Sequence, residues 1–247
     1  MTKISIIIPA LNEEEALPAT LQSVADLPLD QLDLVVVDGG SNDATIKTAK
    51  TLGARVIKSQ VTGRAAQMNA GAAATKGDIL CFLHADTTLP KDFISLACST
   101  LDDRKTALAG FVSIMRGEKL RWFTTAHNFI KTWYAPLLFR PVSFLKGTRL
   151  LFGDQVMICR REDFEAVGGF DETQVIMEEA DLCLRMVRAG RGRVRQVNRK
   201  VWSSDRRLAK WGPLKANLTF LHVGILWGIG RPAEQLVRHY EDVRQER

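Results

Sequence analysis

Five short polar clusters in this chain each follow or open an apolar run, and their residue types suit a charged ligand. His84-Ala85-Asp86 ends the run Ile79 to Leu83. A run that short and that apolar reads as a strand buried on both faces, in the middle of a parallel sheet. Ligands bind just beyond the carboxyl ends of such strands. Asp86 therefore stands where a metal or a phosphate would be handled. Hard divalent ions take oxygen ligands and complete their shell with water and substrate phosphates, so one or two protein carboxylates suffice. His84 and Asp86 would serve equally well to make the turn and cap the next helix. Pro9-Ala10-Leu11-Asn12-Glu13 follows a first apolar run, and Asp38 with Asp43 follows a second. A carboxylate at the end of strand two can accept hydrogen bonds from a ribose or a base edge, which suits Asp38; Asp43 suits a turn or a helix cap. Gly63-Arg64 opens an Ala-rich stretch through Asn69 and Gly71. An arginine there could reach a phosphate or base, and Asn69 and Gly71 would allow close approach. Glu178-Glu179-Ala180-Asp181 begins the fifth element. Paired acids at a helix N-terminus are favoured by the helix dipole alone. With Gly153-Asp154-Gln155 before them and arginines after, they also suit a general base and a stabilised diphosphate leaving group.

The elements that must position these groups follow from periodicity. Strands are expected at 3–9, 32–38, 54–58 and 79–83, and helices from Asn12 to about Val24, Ala44 to Leu52, 65–75 and Pro90 to about Leu101. Asn12 would be the first N-cap. This alternation of strand and helix predicts a parallel, doubly wound sheet. The pattern breaks after residue 106. A strand is expected at 108–115, a helix at 120–134, a strand at 156–159, helices at 161–167 and 177–189, and extended chain at 193–202. Two helices would follow from Arg206, split near Gly228-Ile229-Gly230-Arg231-Pro232. No repeat, low-complexity segment or long linker appears, so one continuous domain over 1–247 is expected: a nucleotide-binding half at 1–105, an acceptor and catalytic half at 106–205 and a helical tail at 206–247.

Composition narrows the classes. Apolar residues make up 46% and charged residues 25% of 247 positions, enough for a real core. The four cysteines are scattered without CxxC spacing, which predicts reduced thiols in a cytoplasmic protein and excludes a disulfide frame or zinc site. No apolar run reaches the roughly 20 residues that span a bilayer, and the N-terminus lacks the features of a signal peptide. Neither GxGxxG after the first strand nor GxxxxGK[ST] occurs, so the dinucleotide and P-loop fingerprints are absent. The net charge is +6 and is concentrated: residues 185–210 carry Arg185, Arg188, Arg191, Arg193, Arg195, Arg199, Lys200, Arg206, Arg207 and Lys210 against one acid, Asp205. Such a stripe suits a diphosphate, a membrane surface or nucleic acid, or simply a solvated face.

Taken in order, the clusters resemble glycosyltransferase family 2, the inverting nucleotide-sugar enzymes of the GT-A fold. The matching pieces are Ser5 to Glu13, Val36 to Thr45, Gly63-Arg64 through Gly71, Gly77-Asp78 through Asp86, Gly153-Asp154-Gln155 and Glu178 to Leu182. The tail, with Trp202 to Arg207, Lys210-Trp211-Gly212, Gly230 to Leu236 and Tyr240, is similar to a small bacterial subgroup named radical-SAM/selenodomain-associated transferase 2 or arsenosugar-biosynthesis glycosyltransferase. The resemblance implies a mixed, mainly parallel Rossmann-like α/β sheet with helices on both faces. It implies transfer of one sugar, from a UDP-sugar or another nucleotide sugar, to a small or lipid-like hydroxyl acceptor, with Mg²⁺ or Mn²⁺ and no nucleic acid.

Carried over by position, the family implies that Pro9, Leu11 and Glu13 line the nucleotide pocket, Asp38 binds uracil or ribose, and Arg64 meets the base or phosphate. It implies that Asn69, His84, Ala85 and Asp86 also face the nucleotide sugar, with Asp86 the metal ligand. Gly153, Asp154 and Gln155 would position donor and acceptor, and Arg206 or Arg207 would hold the diphosphate. Glu179 would be the general base with Glu178 its partner. Two departures matter: His84 replaces the first acid of the DxD motif, and Glu179 replaces the usual Asp, leaving the choice between Glu178 and Glu179 open. The QxxRW motif of processive synthases is missing.

Two other functions fit these residues less well. A sugar-phosphate nucleotidyltransferase needs a Gly-rich basic loop after strand one, where Pro9 to Glu13 stands instead. A non-catalytic nucleotide-sugar or membrane-surface binding module would not need the paired glutamates. Residues 122–152 and the apolar tail fit either a peripheral contact with the inner face of the membrane or a lid on the acceptor pocket.

Overall fold

The computed structural model describes residues 2–116, 122–206, 212–231 and 235–236. Its strands are β1 (Ile4–Ala10), β2 (Leu32–Asp38), β3 (Arg55–Lys58), β4 (Ile79–Phe82), β5 (Thr87–Thr88), β6 (Thr106–Arg116), β7 (Met157–Arg160) and β8 (Arg193–Ser204). Its helices are α1 (Leu17–Ala25), α2 (Thr45–Thr51), α3 (Arg64–Ala74), α4 (Phe93–Asp102), α5 (Trp122–Phe139), α6 (Pro141–Leu145), α7 (Arg161–Ala166), α8 (Glu178–Arg188) and α9 (Pro213–Gly228). The strands form one sheet in the order β3-β2-β1-β4-β7-β6-β8-β5. β3, β2, β1 and β4 run parallel. β7 runs antiparallel to both β4 and β6, and β8 returns parallel to β6. This is the mixed, mainly parallel α/β sheet that the family resemblance implies, and the parallel order read from the alternation holds for β1 to β4.

β1 is apolar nearly throughout because both its faces are covered. Ile4, Ile6 and Ile8 pack with Leu17, Leu21, Phe93 and Phe111 on one side. Ile7 packs with Val35, Val37, Met68 and Leu80 on the other. Ser5 is the polar exception. Its buried hydroxyl accepts the Gly77 N–H at 2.8 Å and an Arg161 N–H at 3.4 Å, which ties the start of β4 to α7. The cysteines are free thiols, and Cys81, Cys159 and Cys183 are buried.

Three element boundaries differ from expectation, each for a local reason. The first helix starts at Leu17, not Asn12. Asn12 adopts φ 53° and its side-chain oxygen accepts the Asn42 N–H at 2.9 Å, so it joins two loops instead of capping a helix. The fourth helix starts at Phe93 because Pro90 to Asp92 make a turn, with the Phe93 N–H bonded to the Pro90 carbonyl. The fifth helix runs past Tyr134, through Pro136, to Phe139. Proline has no N–H and frees the carbonyl four residues back. That carbonyl, on Thr132, accepts the Leu150 N–H at 3.2 Å. β5, only two residues long, was not foreseen. It pairs with Trp202 and Ser203 of β8 and closes the sheet just after Asp86.

Candidate active site

Three loops meet beyond the carboxyl ends of β1, β2 and β4. The first two are stitched together. The Asn12 N–H donates to Ser41 Oγ (3.0 Å), the Glu13 N–H to Thr45 Oγ1 (2.8 Å) and the Glu14 N–H to Asp43 Oδ2 (3.2 Å). Gln67 of α3 clamps the strand ends from below, donating from Nε2 to the carbonyls of Ala10 and Val37. Asp38 is 1% exposed, and its carboxylate accepts the N–H groups of Gly40 and Ser41. It shapes the loop where a ribose contact was expected. Pro9 and Ala85 are buried strand-end residues, and the Ala85 carbonyl accepts the Thr20 hydroxyl at 2.8 Å.

The first turn of α8 brings the acids to the same place. Arg64 Nε donates to Glu178 Oε1 at 2.5 Å and lies 3.5 Å from Glu179 Oε1. That Glu179 oxygen lies 3.6 Å from His84 Nε2. Glu178 is wholly buried beneath Arg64, whereas Glu179 lines an open cleft with Arg64, His84, Asp86, Gly153 and Asp154. Neither His84 Nε2 nor Glu179 Oε1 has a hydrogen-bond partner. Burial pushes Glu179 up, but Arg64 and His84 outweigh it and hold its carboxyl below the usual range. Burial raises Glu178, and the pull of Arg64 does not fully cancel that rise. Burial would lower Arg64; the two glutamates overturn this and keep it charged. One guanidinium thus serves two carboxylates, of which Glu179 is the one that faces the cleft.

Gly153 lets these groups converge. A Cβ there would stand 1.9 Å from His84 Nε2 and 2.6 Å from Glu179 Oε1. The turn that carries it is pinned from behind. Gln155, fully buried, accepts the Phe152 N–H at 2.9 Å and donates to Thr132 Oγ1 at 3.1 Å. Gln155 therefore acts through the backbone and does not reach the cleft, a correction to its expected direct role. The strain flanking the site lies in Val156 (φ 52°) and Met177 (φ 66°), non-glycine residues in a sparsely populated region.

Other expected residues are placed differently. Asn69 is turned away: its amide donates to the Phe170 carbonyl and to Glu172, and its oxygen accepts the Phe170 N–H. It fastens the loop before α8 and does not meet a ligand in this cleft. Arg206 pairs with Glu13 and lies 3.5 Å from Asp86. Burial would lower it and the two acids raise it. Arg207 lies outside the described residues. Among the described residues, five of the ten cations of the basic stripe are held in ion pairs, Arg206 included. Arg185 meets Asp181, Arg191 meets Asp163, Arg193 meets Asp103 and Arg199 meets Asp92. These paired cations are not free to form an anion-binding face.

The cleft has a volume of about 230 Å³. Its floor is the polar set above and its roof is apolar, built by α5 and α9 with Ala135, Phe139, Phe220, Val223 and Trp227, and by Phe152. Those helices fit closely: a Cβ on Gly228 would stand 2.5 Å from Phe139. Lys131 of α5, which sequence reasoning missed, also lines the cleft. No sequence signal marks it, since a single lysine on an aromatic helix reads as a surface residue until the helix is known to fold over the sheet. Asp86 and His84 are the cleft-lining groups whose oxygen and imidazole nitrogen suit a divalent ion. No group of three or more metal-type side chains occurs among the described residues.

Comparison with known proteins converges on one family. The chain is 26% identical over 208 residues to Probable glycosyltransferase YdaM of Bacillus subtilis (strain 168), an alignment covering 77% of this chain and 48% of that protein. The chain spans about half the length of the curated relatives it matches. Among solved structures, the mannosyltransferase PcManGT from Pyrobaculum calidifontis, in complex with GDP-Man and Mn²⁺, superposes with a TM-score of 0.71 at 17% identity, covering 92% of this chain and 63% of that one. Glucosyl-3-phosphoglycerate synthase from Mycobacterium tuberculosis, in complex with Mn²⁺, UDP-glucose and phosphoglyceric acid, gives 0.64 at 24% identity, covering 94% and 81%. Both likenesses are of fold. The sequence model described as Glycosyl transferase family 2 matches residues 5–168, from β1 through the strands and loops that hold Asp38, Arg64, Asp86 and Gly153, and the chain belongs to that family.

Proposed function

We propose that this chain is an inverting glycosyltransferase that moves one sugar from a nucleotide-diphosphate sugar, UDP-linked in the first instance, to a hydroxyl of a small or lipid-like acceptor. The observation that carries this is the meeting of Glu179, Arg64, His84 and Asp86 on the floor of a cleft whose roof is apolar. Residues 1–105 form the nucleotide side, 106–205 the acceptor side and 206–247 the tail of one catalytic unit. The resemblance of the tail to the arsenosugar-biosynthesis subgroup supports an acceptor of that chemical setting.

Glu179 is the base. It is ionised, it faces the cleft, and one of its oxygens lacks a hydrogen-bond partner. It accepts the acceptor's proton as the hydroxyl attacks the anomeric carbon. Glu178 is not exposed to the cleft and anchors Arg64. Arg64 and Arg206 supply positive charge toward the departing diphosphate. Mn²⁺ or Mg²⁺, the ions held by the solved neighbours, would be held by Asp86, with the unpartnered Nε2 of His84 the second suitable donor. Such an ion would supply Lewis-acid stabilisation of the charge on the departing diphosphate.

The exposed face of α5, α6 and α9 supports peripheral contact with an anionic bilayer, on the cytoplasmic side. Leu138, Val142, Leu145 and Ile229 are 66%, 66%, 85% and 63% exposed. Residues 119–153 and 206–233 contain no Asp or Glu but carry Lys and Arg throughout, which complements negative lipid. No helix among the described residues is long and apolar enough to cross a membrane. Co-sedimentation with phosphatidylglycerol vesicles but not phosphatidylcholine vesicles is the expected result; equal failure with both, or self-association in place of binding, counts against it.

The transfer reading is tested by proton NMR of glucose freed from UDP-glucose with water as acceptor. Inversion yields the β anomer first. Initial release of the α anomer would contradict it.

A further inference from the structure

Among the described residues, Lys131 is the cleft-lining cation that no carboxylate holds. Its Nζ stands 3.8 Å above the ring centroid of Phe152 and 5.8 Å from that of Phe220. Those ring contacts are its close partners among the described residues. Asp154 and Glu179 act on it electrostatically, with no ion pair to either among the described residues. Among the described residues, the other lining cation, Arg64, is engaged by Glu178 and Glu179, and Arg206, beside Asp86, by Glu13. An amine taken out of water without a hydrogen-bonded partner is unfavourable. Burial accordingly lowers its pKa, and the distant acids only partly restore it. Lysine on an aromatic helix could reach solvent by extending its stem, yet this one turns inward. Lys131 also lies on the acceptor side, projecting from the roof, whereas Asp86, Arg64 and Glu13 lie at the strand ends.

We infer that Lys131 binds a negatively charged group of the acceptor, a phosphate or carboxylate, so that the cleft takes an anionic molecule with its hydroxyl toward Glu179 and its apolar part against Phe139 and Trp227. This rests on the proposed reading of the cleft as the acceptor site. A phosphate in contact with the ammonium supplies the partner that the folded chain lacks, and the rings on either side exclude the water that would weaken the pair. The same chemistry could come from a lipid headgroup or from a soluble phosphorylated alcohol.

The test is calorimetric titration of the full chain with octyl phosphate, 1-octanol and glycerol 1-phosphate. Wild type should bind octyl phosphate at least about tenfold tighter than 1-octanol, a difference of about 1.4 kcal/mol. Lys131→Met and Lys131→Gln should abolish that preference, and Lys131→Arg should keep most of it. Competition by glycerol 1-phosphate assigns the anion to a soluble source; binding of octyl phosphate without such competition assigns it to a lipid. Equal affinity of wild type for octyl phosphate and 1-octanol overturns the inference, and this comparison needs no variant to fold. So does retention of the preference in Lys131→Met. UDP release from UDP-glucose is followed in the same preparations. Its absence alongside a Lys131-dependent phosphate preference would refute the transferase reading and leave the anion site standing; its presence without that preference would refute the site alone.

Discussion

Replacing Gly153 by alanine adds one methyl group and tests whether the convergence of His84 and Glu179 matters. Gly153 does not have a positive φ, so alanine is tolerated by the backbone and the effect is steric. The new Cβ would stand 1.9 Å from His84 Nε2, 2.0 Å from its Cε1 and 2.6 Å from Glu179 Oε1, where ordinary contact begins at 3.4 Å. The imidazole must therefore withdraw by about 1.5 Å, or the turn held by Gln155 must shift. Misplacing a catalytic group by about 1 Å can cost about 10²-fold in rate, and overpacking typically costs about 1–3 kcal/mol. The assay is Mn²⁺-dependent UDP release from UDP-glucose, alongside urea unfolding. Turnover should fall about 10²-fold while the folded state survives. Gly224→Ala is the control: Gly224 also lines the cleft, and a Cβ there meets nothing within 4 Å, so its rate should be unchanged. If Gly153→Ala keeps both wild-type turnover and wild-type stability, the packing of His84 and Glu179 against this turn has been misjudged.

Further predictions follow from the same contacts. His84→Asp restores a second carboxylate beside Asp86 and should lower the Mn²⁺ concentration needed for half-maximal UDP release; an unchanged requirement would make His84 a turn residue only. Lys131→Met should be more stable than wild type at pH 7. Burial lowers the pKa of the folded-state amine, so the unfolded chain holds its proton more tightly and wild-type stability rises with pH between the lowered value and the unfolded value of about 10.4. Urea unfolding should show the gap between variant and wild type narrowing as pH rises through that window; a variant less stable than wild type at pH 7 contradicts this. Gly71→Ala places a Cβ 2.3 Å from Ile7 Cγ2 in the centre of the sheet packing and should destabilise by about 1–3 kcal/mol, read as a lower midpoint in thermal unfolding.

Much of this arrangement was legible in the sequence because it depends on local pattern. The continuous apolar runs of β1, β2 and β4 announce strands covered on both faces, and polar residues after such runs must lie at a sheet end. That is enough to bring His84 and Asp86 to the sheet end, and the family resemblance adds Arg64 and Glu179 to the same place. What was not legible depends on contacts between distant segments. Asn69 looked available for a ligand until the Phe170 backbone claimed its amide. The arginines of β8 and its surroundings looked like an anion-binding stripe, but Asp92, Asp103 and Asp163, each tens of residues away, neutralise several of them. The fifth helix was expected to end at Tyr134, before Pro136. Pro136 instead continues the helix, and the carbonyl it frees secures the segment that carries Gly153. Lys131 gains its meaning only when α5 lies over the sheet and faces Glu179.

The central claim is that Glu179, held ionised by Arg64 at the strand ends, is the base for transfer from a nucleotide sugar. It is tested most directly by measuring nucleoside diphosphate release from a panel of nucleotide sugars with Mn²⁺, for wild type, Glu179→Gln and Glu178→Gln, with donor binding measured by calorimetry on the same samples. Positioned acid–base groups typically contribute about 10²–10⁴-fold. The account predicts that at least one donor is turned over, that Glu179→Gln loses turnover by that factor, and that it still binds the donor. Normal turnover in Glu179→Gln with loss in Glu178→Gln, or no release from any donor by wild type, would contradict it.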